Sequence, residues 1–137
     1  MSGLASKPRP QFRNIGISQI LSYRLPPAGK SSIFHRLSGA LLFLSLPLVI
    51  LPLFALSVSS PESFASMQAY TAHPLCKVVL LVLIWGYLHH FCAGIRYLTL
   101  DLHLGVDKAS AQKSARVVFG VSLALTLVFG LKLFGAW

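Results

Sequence analysis

The residues that could do chemistry are polar side chains in or beside long apolar stretches: Ser32, His35, Arg36, His89, His90, Arg96, Tyr97 and Asp101. His90 has Gly86 at i−4, Ala93 at i+3 and Gly94 at i+4. On a helix these positions share one face, so His90 stands in a trough with little side-chain bulk. Such a trough suits a flat porphyrin whose iron meets the imidazole. It equally suits close helix packing, with the histidine bonding to a neighbouring helix. His89 points about 100° away and reads as structural or interfacial. Ser32 and Arg36 are four apart and present a hydroxyl and a guanidinium together. That pair suits a quinone, whose reduction places charge on its oxygens. It also suits an N-cap and a snorkelling anchor.

Depth separates the histidines. His90 lies six residues inside Arg96, about 9 Å deeper along a helix, whereas His35 adjoins Arg36 at the edge. The two cannot face each other across one iron, so a second axial ligand has to come from another chain. His35 and Arg36 stand where the propionates of a His90-bound haem would emerge, and cations there would neutralise them.

The elements that must position these groups are three apolar stretches: Leu37–Pro61, Val78–Ile95, and Val117 to the end with only Lys132 interrupting. Each approaches the roughly 20 residues a membrane span requires. The 137 residues are 55% apolar and 11% charged, with mean hydropathy +0.71. The twelve Lys and Arg against three acids fall in clusters between the apolar stretches. This excludes a soluble nucleic-acid-binding protein, which spreads its cations over a water-facing surface. A cleaved signal is excluded by the long basic segment before the first stretch. Cys76 and Cys92 have neither the spacing nor the context of a disulfide, zinc site or iron–sulfur cluster.

Cations flank the N-terminal side of the first span and the loop after the second. The loop Ser59–Pro74 has none and carries Glu62. The positive-inside rule then puts the N-terminus and the second loop on the cytoplasmic (or matrix) side. The sequence therefore predicts an all-α membrane protein: a segment 1–30 with a short interfacial helix within 14–23, then a three-helix domain 31–137. The spans are expected near 32–58, 75–101 and 114–135. Ser31 or Ser32 is the expected N-cap, a kink is expected at Pro47 and Pro52, and Pro61 and Pro74 are expected to punctuate an outer loop.

SSIFHRLSG (Ser31–Gly39) resembles the S-I-x-H-R-x-S-G signature of the cytochrome b membrane anchor of succinate dehydrogenase, respiratory complex II. HFCAGIRYLTLD (His90–Asp101) resembles that family's H-x-x-x-G-I-R-H-L-x-x-D signature, with Tyr97 where the family has a second histidine. Arg9-Pro10 and Tyr23–Pro26 also fit its N-terminal segment, whereas Asn14-Ile15-Gly16 departs from the Ser-Pro-His of many relatives.

The resemblance implies one haem b with His90 as axial ligand and ubiquinone as substrate at Ser32 and Arg36. It places His35, Arg36, Arg96 and Tyr97 at the haem edge, and Asp101 as an organiser of the cytoplasmic edge. It further implies a second three-helix anchor subunit, an iron–sulfur subunit and a flavoprotein subunit. FAD and clusters are confined to those partners, and this chain serves electron transport in the tricarboxylic acid cycle without holding the catalytic core. A quinol:fumarate reductase anchor or a haem-free structural anchor would use the same architecture. The expected location is a bacterial inner membrane, ahead of a mitochondrial one.

Overall fold

The computed structural model describes residues 16–136, so Arg9-Pro10 and Asn14-Ile15 lie outside the described residues. A short helix α1 (Ile17–Ser22) comes first. Helix α2 (Pro27–Ser45) runs through a π-helical turn (Leu46–Ile50) into α3 (Leu51–Ser59). After it come α4 (Pro61–Ala72), α5 (Pro74–Asp101) and α6 (Lys108–Leu133). Every element among the described residues is helical, and three are long and apolar enough to cross a membrane. They are Pro27–Ser59, Pro74–Asp101 and Lys108–Leu133, with mean hydropathies of 2.5, 1.9 and 1.9 over their most apolar stretches. At 1.5 Å per residue each reaches about 40 Å or more, beyond the hydrocarbon and into the headgroup layer.

The first and third spans begin earlier than expected. Ser31 and Ser32 do not cap the first. Pro26 occupies the cap position and Pro27 the first turn, where a missing N–H and a fixed φ cost nothing. Ser31 is thereby carried into the helix and turned inward. Helix α6 starts where the Asp107 carboxylate accepts from the amides of Ala109 and Ser110, both at 3.0 Å.

The bundle interior is built from small residues. Ser31, Ser38 and Ser45 are buried at intervals of seven along α2, and Ala93, Ala115 and Ser122 answer from α5 and α6. Seven residues are close to two turns, so these serines form one seam that lets the backbones approach. Larger apolar side chains such as Phe43, Leu48, Leu98 and Leu127 point outward. In lipid that arrangement is stable, because tails solvate them as well as a core would.

At the expected kink the helix widens instead. Leu51 N–H reaches back to Leu46 carbonyl, an i−5 bond, as prolines 47 and 52 withdraw their own donors. The expected outer loop is helical as well. Ser60 and Ser63 form a reciprocal capping box, their amides donating to each other's hydroxyl at 2.9 and 3.1 Å, and Pro61 opens α4 as its first residue. Helix α5 ends with His103 at φ +60, its amide bonding Leu100 carbonyl while Leu104 N–H reaches Thr99 carbonyl.

Candidate functional site

The packing of α5 on α2 builds the site. The His90 ring is wedged between the His35 ring and the backbone of Gly39. The two imidazoles stack, with centroids 4.2 Å apart and planes within 10°, so the depth expected to separate His35 from His90 is not found: the tilt of α2 against α5 brings the rings to one level. A methyl group on Gly39 would stand 2.9 Å from His90 Cε1, so only glycine admits the ring there. His90 Nδ1 lies 3.0 Å from the His35 carbonyl and 3.3 Å from Ser38 Oγ, whose hydroxyl donates to the same carbonyl at 3.0 Å. A carbonyl only accepts, so Nδ1 must carry the proton. Nε2 is then left with its lone pair, as in histidines that ligate a metal.

The glycine trough around His90 serves helix packing. A methyl at Gly86 would stand 3.4 Å from Leu41 Cδ2, and one at Gly94 3.9 Å from His35 Nε2. Helix α2 therefore lies across the trough, and the approach to His90 is its half-exposed edge. Tyr97 packs on the other side of His35 with centroids 5.0 Å apart, and its buried Oη has no partner among the described residues. That orphaned donor beside the histidine pair fits a group carrying acceptor oxygens.

The structure thus gathers His35, His90 and Tyr97 and adds Ser38 and Gly39, which residue type alone does not mark. Both stand in the Ser31–Gly39 motif already quoted, so the signal was present. Ser32 is half-buried and Arg36 exposed, one turn apart along α2. They face away from Ser31, which is sealed in the bundle.

Arg96, expected at the haem edge, lies over the Tyr97 ring, 5.4 Å from its centroid, and bonds to α6. Its Nε donates to Ser114 Oγ at 2.9 Å and a terminal nitrogen to Ala111 carbonyl at 3.2 Å. Asp101 is exposed at the end of α5, away from these groups. His89 is fully buried among Phe34, Trp85 and Phe119, in the core of the bundle.

The chain matches known proteins over most of its length. The model of the succinate dehydrogenase/fumarate reductase transmembrane subunit family matches residues 6–129. The succinate dehydrogenase cytochrome b556 subunit of Coxiella burnetii is 32% identical over 112 residues, which are 81% of this chain and 89% of that protein. The subunit of the same name from Paracoccus denitrificans is 31% identical over 106 residues, 77% of this chain and 81% of its own. With that coverage, the chain belongs to the succinate dehydrogenase/fumarate reductase transmembrane subunit family.

Proposed function

We propose that this chain is the haem b anchor of a succinate:ubiquinone oxidoreductase. It helps to hold haem b and quinone at the membrane edge where the iron–sulfur partner delivers electrons. The observation that carries the reading is the His35 carbonyl 3.0 Å from His90 Nδ1, which orients the ring and leaves Nε2 free to ligate. The name cytochrome b556, borne by both relatives, supports it. Bound haem supplies a one-electron carrier next to the quinone. His90 would hold it from this chain, together with a residue of a second anchor subunit. His35 and the unpartnered Tyr97 hydroxyl would meet its edge.

Succinate is oxidised in the flavoprotein partner. The Ser32 hydroxyl donates to one carbonyl oxygen of ubiquinone and sets its orientation. Arg36 offers a fixed positive charge where negative charge builds on that oxygen during reduction. Both side chains sit on the N-terminal side of the first span, so protons enter from that side, the cytoplasm of a bacterium. Arg96 keeps α5 and α6 together beneath the site.

The test is a reduced-minus-oxidised spectrum of the intact complex, wild type beside His90→Ala. A b-type signal present in the wild type and lost in the variant is expected. A signal that survives the substitution would move the ligand elsewhere. A wild-type complex without haem would leave a structural anchor whose quinone chemistry rests on Ser32 and Arg36.

A further inference from the structure

Arg96 is only 6% exposed, yet the groups that meet it, the Ser114 hydroxyl, the Ala111 carbonyl and the Tyr97 ring, are neutral. A cation withdrawn from water calls for an anion. The three acids of this chain are Glu62, Asp101 and Asp107, and none of them is bonded to Arg96. Glu62 sits on α4 at the opposite membrane face. Asp107 is spent capping α6. Asp101, five residues after Arg96, points about 140° away round the helix.

Arg96 lines a groove of about 430 Å³ between α5 and α6, and Lys113 lines it from the other wall. The groove is graded along the membrane normal. Thr99 and Ser110 stand at its mouth near the ends of the two helices, the two cations and Ser114 come next, and Cys92, Val117 and Val118 form its deeper part. Hydroxyls, then cations, then hydrocarbon is the order in which a phospholipid presents its headgroup, its phosphate and its tails.

We infer that this groove binds the phosphate of an anionic phospholipid, whose charge compensates the buried Arg96. The N–H groups of the guanidinium left over from Ser114 and Ala111 bind its oxygens, and Lys113 adds a point charge. Basic pockets between spans at a membrane face bind anionic headgroups in this way. A free anion would find the charge but would leave the apolar depth of the groove uncovered. The inference rests on membrane placement alone and stands apart from the haem and quinone assignments.

The experiment uses the intact complex in nanodiscs of phosphatidylethanolamine with a minor fraction of phosphatidylglycerol. Lipid retained after transfer to detergent is counted by native mass spectrometry. The wild type should retain phosphatidylglycerol in preference to phosphatidylethanolamine. Lys113→Gln should weaken that retention about five-fold, the factor for one cation near the surface. Arg116→Gln, an exposed cation on the same helix outside the groove, should leave it unchanged. Equal loss in both variants would show a diffuse surface charge and overturn the site. Displacement by inorganic phosphate would show a free-anion site, and so would refute the lipid. If Lys113 resists amine labelling in the delipidated complex, a partner carboxylate is the counter-charge and the inference fails.

Discussion

Gly39→Ala isolates the wedge that orients His90. The new methyl would stand 2.9 Å from Cε1 and 3.4 Å from Nδ1 of His90, closer than side-chain carbons approach. The obstacle is a ring, so no flexible chain end can swing aside. His90 cannot retreat towards His35, whose ring already stacks at 4.2 Å. It has to tilt, which lengthens the 3.0 Å contact of Nδ1 with the His35 carbonyl. Overpacking of this kind costs about 1–3 kcal/mol, and loss of the hydrogen bond about 1 kcal/mol more. If the ring is the haem ligand, a penalty of that size lowers haem affinity at least about ten-fold, since each 1.4 kcal/mol is a factor of ten. The assay is haem content per complex during stepwise dilution in detergent, read with the melting temperature. Gly120→Ala is the control, because nothing lies within 4 Å of a methyl there. Full haem retention in Gly39→Ala, with an unchanged spectrum, would refute the idea that Gly39 and the His35 carbonyl set the ring.

Three further outcomes are expected. Arg36→Leu should lower quinone reduction about a hundred-fold while succinate oxidation by a soluble artificial acceptor survives, and two unchanged rates would unseat Arg36. His103→Gly should stabilise the complex by about 1 kcal/mol, because His103 holds φ +60 at the end of α5 and glycine adopts that conformation without a steric cost; thermal melts read it. The Ser110 side chain and the amides of Ser110 and Ala109 hold the Asp107 carboxyl below its ordinary value. Its contribution is therefore complete above the ordinary carboxylate range, near about pH 4, and is lost as pH falls through the depressed value. Limited proteolysis of the α5–α6 loop at falling pH should show this opening, and Asp107→Asn, which keeps a capping oxygen, should remove the pH dependence.

The spans were legible because lipid demands long uncharged runs, and three such runs are written plainly in the chain. The seam of Ser31, Ser38 and Ser45 was legible in principle, as small residues at a seven-residue interval, but a search for large apolar stripes overlooks it. In a membrane the interior is the small side and the periphery the large one. Helix α4 was obscured by Pro61 and Pro74, read as breakers although each opens a helix as its first residue. Ser60 and Ser63 were the corrective signal. His90 was found from its glycine neighbours, yet those glycines accommodate α2. The residue that meets the ring is Gly39, fifty-one positions away in sequence, and no local pattern on α5 can reveal it. The bonds of Arg96 to α6 were hidden for a related reason. Spacing along α5 fixes its height but not its choice between α2 and α6, which the Ser114 hydroxyl decides.

The π-helical turn at Leu46–Ile50 divides the first span mechanically. A regular helix transmits rotation along its whole length, so a residue gained or lost anywhere swings everything beyond it by about 100°. Here the surplus is absorbed in one turn. On its N-terminal side α2 is clamped to α5 by the serine seam and presents Ser32, His35 and Arg36. On the far side α3 packs against α4 with a phase of its own. The turn acts as a coupling that lets the half of the span beyond it be refitted to new lipids or neighbours while the half that carries Ser32, His35 and Arg36 keeps its bearing.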